Sequence, residues 1–221
     1  MDDPALSERE HRLALLGLRR INALSLTSYT LARYLALLMG RDSGRPRRVL
    51  DVACGDGDNT TRLSLLARRR GLPWRIDGCD VSERSVGMAR SLAARRGVEA
   101  TFFQADALGR LRLEGYDAVV SSLFLHHLED RQIVRFLRRL AGVDHVVIAD
   151  LVRSRFAYVS TIVGVRCLSR SGVVHTDGPL SVRSALTVSE MRLLVEEAGL
   201  SSARVVRCWP MRQLVTWSRR A

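Results

Sequence analysis

Five acids, two glycines and two groups of histidines in this 221-residue chain stand where a ligand would use them. Asp51 lies within Val49-Leu50-Asp51-Val52-Ala53-Cys54-Gly55-Asp56-Gly57-Asp58, where an apolar run gives way to a turn. Without a Cβ, Gly55 and Gly57 let a ligand approach the backbone closely. A dinucleotide turn would offer that space to a pyrophosphate. Asp51, Asp56 and Asp58 would repel one, and they welcome a cation instead, such as a sulfonium with an amino-acid tail. Asp80 closes the next apolar run in Gly78-Cys79-Asp80-Val81, where an acid can accept both hydroxyls of a ribose. Asp106, in Phe103-Gln104-Ala105-Asp106-Ala107, is placed to meet an adenine amino group. The histidines follow in Ser121-Ser122-Leu123-Phe124-Leu125-His126-His127 and in Val174-His175-Thr176-Asp177. Imidazole titrates near neutral pH and suits the removal of a proton from a phenolic or carboxylic oxygen. His127 is the first candidate base. His175 is the second, with Asp177 two residues on to orient it.

For the acids to meet, each must end a strand of one sheet. Residues 49–53, 74–79, 100–104, 118–121 and 146–149 read as short buried strands, with helices over 60–70, 82–96 and 131–141. Strands separated by helices of this length pair in parallel. Two closing strands, 203–208 and 213–217, are joined by Trp209-Pro210-Met211 and read as an antiparallel hairpin. The expectation is an α/β fold with a doubly wound, mostly parallel seven-stranded sheet. Its carboxyl edge collects the acids, and such sheets bind ligands there. Leu13, Leu16, Ile21, Leu24, Leu31, Leu35 and Leu38 recur at helical intervals, so residues 1–47 read as a helical cap on a unit spanning 48–221. After Asp150, residues 153–171 read as an apolar helix and 171–184 as a turn-rich stretch. A helix over 189–198 then stops at Gly199. The insertion at about 152–186 reads as a lid over an acceptor, with Phe156, Tyr158, Ile162 and Arg183 as its contacts.

Together these motifs resemble the class I S-adenosylmethionine-dependent methyltransferases over about residues 48–151, with the closing strands to 217. The resemblance implies S-adenosyl-L-methionine as cofactor. Asp51, Ala53, Gly55 and Gly57 would frame its methionine portion, Asp80 and Val81 its ribose, and Asp106 and Ala107 its adenine. Ser122 and Leu123 would lie beside the sulfonium. Ala53 and Asp58 stand where the family often carries glycine. The tail of the fourth strand departs from the Asn-Pro-Pro-Tyr type associated with planar nitrogens and looks like enzymes acting on quinones, phenols, lipids and other small metabolites. Asp177-Gly178-Pro179-Leu180-Ser181-Val182-Arg183 is similar to a segment of small bacterial methyltransferases associated with type III polyketide synthases. The implied reaction is methyl transfer to an oxygen, or secondarily a carbon, of a small hydrophobic acceptor of aromatic or polyketide-derived kind.

Composition narrows the classes further. All 35 basic residues are arginine, which excludes mechanisms that need a lysine, among them Schiff-base enzymes, Walker-A nucleotidases and protein kinases. The net charge is +12, but runs such as Arg68-Arg69-Arg70 are spread through every segment and read as solvated helix faces. Aromatic residues are 5 %, too few for the stacking surfaces of single-stranded RNA binders, so a nucleic-acid partner is not expected. The alternative reading is an Arg-rich RNA-binding or RNA-modifying methyltransferase. Cys54, Cys79, Cys167 and Cys208 have no metal-ligand spacing, so reduced thiols and no metal are expected. No apolar run approaches the roughly 20 residues of a membrane span. Residues 1–10 are too acidic for a secretory signal. The sequence therefore reads as a cytoplasmic protein whose partner is a small-molecule acceptor, with a homodimer left open.

Overall fold

Short apolar strands alternate with amphipathic helices from Arg47 onward, and the computed structural model arranges them in one seven-stranded sheet. It describes residues 25–40 and 45–219, together with Leu13, Gly17, Arg20 and Ile21. Strands β1 (Arg47–Val52), β2 (Trp74–Asp80), β3 (Phe102–Gln104), β4 (Ala118–Ser122) and β5 (His145–Leu151) run parallel. The hairpin β6 (Arg204–Cys208) and β7 (Arg212–Ser218) closes the sheet in the order β3-β2-β1-β4-β5-β7-β6. The helices are α1 (Thr27–Met39), α2 (Asp58–Arg69), α3 (Glu83–Arg95), α4 (Asp130–Leu140), α5 (Arg155–Leu168), α6 (Gly172–Ser184) and α7 (Val188–Glu197). The strand order reverses between β1 and β4, which opens a crevice at the carboxyl edge there.

Side-chain alternation along each strand divides the core between the two faces. Val49, Val120, Val147 and Leu214 pack with Leu31 and Leu35 of α1 and Leu63 of α2. Leu50, Val52, Val119, Val146 and Ile148 pack on the other face with Phe136 and Leu137 of α4 and Met191 of α7. By the same alternation Asp51 falls on the α1–α2 face and Asp150 on the α4 face. Antiparallel β7 inserts between β5 and β6, which sets Arg212 opposite Leu151 and Gln213 opposite Asp150. The hairpin matches expectation; that insertion carries its first residues to the sheet's carboxyl edge.

One segment differs from the sequence reading. Residues 172–184 are a helix, not a turn-rich stretch. Asp177, Gly178 and Pro179 suggest a turn when read locally, but tertiary packing decides otherwise. A Cβ at Gly178 would come within 2.8 Å of Val165 Cγ1, so glycine is what lets α6 lie against α5. The pair α5–α6 sits between β5 and α7, and Ile21 packs on its buried Val165 and Val174. Leu16, Leu24, residues 1–10 and residues 41–44 lie outside the described residues. Among the described residues no helix is long and apolar enough to cross a membrane.

Candidate active site

The turn after β1 owes its shape to three left-handed residues. Ala53, Gly55 and Gly57 have φ of 56°, 55° and 75°. At Gly57 a Cβ would fall 2.7 Å from Ala89 Cβ and 3.1 Å from Phe102 Cε1, so only glycine lets α2 start there. At Gly55 a Cβ would meet nothing within 4 Å, because this part of the turn borders open space. The turn is tied to β2 by two bonds: Cys54 donates its amide to the Cys79 carbonyl at 2.9 Å, and Gly55 donates to Asp80 Oδ2 at 2.9 Å.

The acids then line the edge. Asp51 is buried; its Oδ2 accepts from Thr60 Oγ1 at 2.7 Å and Asn59 Nδ2 at 3.3 Å, while Oδ1 has no donor among the described residues. Burial pushes its carboxyl up to about 7, against the two hydrogen bonds. Asp80 also accepts the Ser82 amide on Oδ1 at 2.9 Å, and Val81 beside it is exposed. Ala105 donates to the Asp80 carbonyl at 3.0 Å, which brings exposed Asp106 and buried Ala107 next to Asp80. Ser122 ends β4, and Leu123 turns away with φ 57° while its amide donates to the Ala149 carbonyl at 2.9 Å. These groups suit S-adenosylmethionine. Its ammonium, ribose hydroxyls and adenine amino group are all donors, and the edge offers carboxylates, one of them with a buried oxygen lacking any described donor. Among the described residues no three His, Cys, Asp or Glu side chains gather as a metal site.

Beyond β4 a 3₁₀ turn, Leu125–His127, is fixed from below by Asp150. Asp150 Oδ2 accepts the amides of Leu125 at 2.5 Å and His126 at 3.3 Å. Its Oδ1 accepts the Leu151 amide and His126 Nδ1, each at 2.6 Å. Burial alone would raise this carboxyl, but the His126 hydrogen bond and charge, the Leu151 amide and the nearby Arg212 outweigh it and hold Asp150 below the usual carboxylate range. An ionised carboxylate only accepts, so His126 donates to it from Nδ1, which leaves Nε2 as the acceptor of the neutral tautomer. Nε2 has no partner among the described residues. Asp150 thus fixes the orientation of the His126 ring, as an acid does for the imidazole of hydrolytic triads.

The other expected residues stand around this pair in different ways. His127 is exposed, its ring 4.1 Å from that of His126. His175 Nε2 donates to the Ser169 carbonyl at 2.9 Å, on a helix that packs against the 3₁₀ turn. Asp177 lies two positions on from His175 in the same helix, a spacing that sets the two on different sides of it. Phe156 is exposed, Tyr158 and Ile162 are half-buried, and the Arg183 guanidinium lies 5.9 Å from the Tyr158 ring centre. Sequence reasoning ranked His126 behind His127 and treated Asp150 as a boundary. The signal was available, because Asp150 ends a buried apolar strand just as Asp51 and Asp80 do.

Residues 49–143 match a family model described as a methyltransferase domain. The ubiquinone biosynthesis O-methyltransferase of Aeromonas salmonicida is 29 % identical over 70 % of this chain and 63 % of its own length. The demethylmenaquinone methyltransferase of Thermus thermophilus is 34 % identical over 48 % of this chain and 47 % of its own. The chain thus spans less than two thirds of either relative. In fold it is similar to the plantazolicin methyltransferase in complex with SAH, with a TM-score of 0.70, 17 % identity, and coverage of 99 % of this chain and 92 % of that one.

Proposed function

We propose that the chain is a class I S-adenosylmethionine-dependent methyltransferase that methylates an oxygen of a small, hydrophobic acceptor of aromatic or polyketide-derived kind, a reading supported by the methyltransferase-domain match over residues 49–143 and by the methyltransferase relatives. The observation that carries this reading is the His126–Asp150 pair at the carboxyl edge. A carbon acceptor that is already nucleophilic, or an ionised oxygen, needs no base; a neutral hydroxyl does. The two relatives whose names concern ubiquinone biosynthesis and demethylmenaquinone support a quinone-like or phenolic ring.

Asp51, Ala53, Gly55 and Gly57 hold the methionine end of the cofactor, Asp80 and Val81 its ribose, Asp106 and Ala107 its adenine, and Ser122 with Leu123 flank the sulfur. Bound there, the cofactor supplies an electrophilic methyl group on a sulfonium. His126 Nε2 takes the hydroxyl proton of the acceptor as that oxygen gains the methyl. Asp150 holds the ring in the tautomer that makes this possible and stabilises the imidazolium that results. The α5–α6 pair, with Phe156, Tyr158, Ile162, His175 and Arg183, closes over the acceptor as a lid and keeps water out, so that positioning supplies much of the rate. The domain works without a metal and without nucleic acid.

The test is turnover with a panel of simple phenols and hydroquinones, read by mass spectrometry. One methyl added on oxygen and stoichiometric S-adenosylhomocysteine are expected. Exclusive carbon methylation would overturn the oxygen assignment while leaving the cofactor site standing.

A further inference from the structure

Arg212 lies at the carboxyl edge, and the reaction above leaves it unused. It opens β7 opposite Leu151, one position beyond the pair Asp150 and Gln213. The residue is 6 % exposed, and its Nε is buried without a hydrogen-bond partner. No described carboxylate makes an ion pair with it. Asp150 is near enough to favour its charge, yet both Asp150 oxygens are already filled by the donors of Leu125, His126 and Leu151. Cys208, its other electrostatic neighbour, is a neutral thiol at physiological pH because burial pushes it up to about 11. A guanidinium does not shed its proton in a protein. A guanidinium that is 6 % exposed, with its Nε buried and unpaired, is among the costlier groups a fold can hold.

Position tells what would compensate it. The β1 turn that would hold the cofactor's methionine end is three strands from β7, roughly 14 Å at the spacing of neighbouring strands. Arg212 pairs with Leu151 and so leaves the sheet on the face opposite to Asp150, the acid that orients His126; the two charges still interact at the carboxyl edge, over which an acceptor would lie. We propose that Arg212 binds a carboxylate carried by the methyl acceptor, so that the acceptor is an aromatic hydroxy acid or a close analogue. This rests on the methyltransferase reading above and deepens it. The guanidinium fork matches a carboxylate bidentately and is the side chain best suited to do so away from water. The acid is then anchored by Arg212 while the hydroxyl faces His126.

The experiment compares 4-hydroxybenzoate with 4-hydroxybenzamide, which share shape and hydroxyl but differ in charge. Each is titrated calorimetrically into the S-adenosylhomocysteine complex of the full chain. The wild type is expected to bind the carboxylate at least tenfold more tightly. Arg212→Gln should abolish that preference, Arg212→Lys should keep part of it, and both should bind S-adenosylhomocysteine as the wild type does. Equal binding of the two probes by the wild type overturns the proposal without any variant being needed, as does a preference that survives in folded Arg212→Gln. Arg212→Gln that loses S-adenosylhomocysteine and leaves the probe preference intact assigns the anion to the cofactor's own carboxylate, which also overturns it. Failure of the wild type to bind S-adenosylhomocysteine at all would instead strike the methyltransferase reading.

Discussion

Asp80 Oδ2 accepts the amide of Gly55 at 2.9 Å, so the acid that ends β2 also fastens the turn after β1. One side chain therefore shapes the turn and, on the proposed reading, faces both the methionine and the ribose of the cofactor. Asp80→Ala should weaken S-adenosylhomocysteine binding by about 2 to 4 kcal/mol, the scale for losing charge-assisted hydrogen bonds. Asp80→Asn keeps one acceptor oxygen and should fall between. Unchanged calorimetric affinity in a folded Asp80→Ala variant would remove this residue from the site.

Gly55 and Gly57 share a left-handed backbone but differ in what surrounds them, and the difference separates folding from binding. Gly57→Ala meets Ala89 and Phe102 and should lower the thermal midpoint, with a cost of about 1 to 3 kcal/mol. Gly55→Ala meets no protein atom and should cost only the left-handed penalty of about 1 to 2 kcal/mol. Its methyl enters open space beside the turn proposed to hold the cofactor, so its larger effect should be on S-adenosylhomocysteine affinity. Thermal unfolding and calorimetry on both variants check the contrast; a Gly55→Ala variant that binds normally places the cofactor elsewhere.

Asp51 makes the ligand-free protein sensitive to pH. Burial raises its carboxyl to about 7, above the 3.8 it has when unfolded. Below pH 4 both states are protonated and nothing is lost. Between about pH 4 and 7 the unfolded state gives up its proton first, so stability falls as pH rises. Asp51→Asn escapes this loss. Its thermal midpoint should match the wild type near pH 4 and exceed it at pH 8 without ligand, while its affinity for S-adenosylhomocysteine drops. A wild type that gains on the variant as pH rises would contradict the assigned cause.

Exhaustive chelation should leave turnover intact, because the acids of the edge accept from backbone amides and neighbouring side chains and the proposed reaction uses no metal. Activity lost to chelator and restored by a divalent ion would show a metal role.

Much of this site is legible in the chain because one signal recurs. An acid that ends a buried apolar run has nowhere to point but the sheet's carboxyl edge, as Asp51 and Asp80 show. Asp150 carries the same signal, but its meaning depends on which of two adjacent histidines faces it. On a 3₁₀ turn neighbouring side chains diverge by about 120°, and only the fold decides which one turns inward. The helix α6 is hidden by Asp177, Gly178 and Pro179, whose local preference for a turn yields to close packing on Val165. Arg212 has no signature in an arginine-rich chain. It becomes distinctive only because β7 slides in beside β5 and takes it out of water.

The most direct test of the account is the turnover of His126→Gln, a variant that keeps a donor for Asp150 but removes the base. With a phenolic acceptor, kcat should fall by about 10²- to 10⁴-fold, the range for general-base catalysis, with S-adenosylhomocysteine affinity unchanged. His127→Ala and His175→Ala should retain most activity. Asp150→Asn should share the loss and shift the pH profile, since it misorients the ring. A His126→Gln enzyme with wild-type turnover and an unaltered pH profile would contradict the central claim and leave proximity to the sulfonium as the whole of the catalysis.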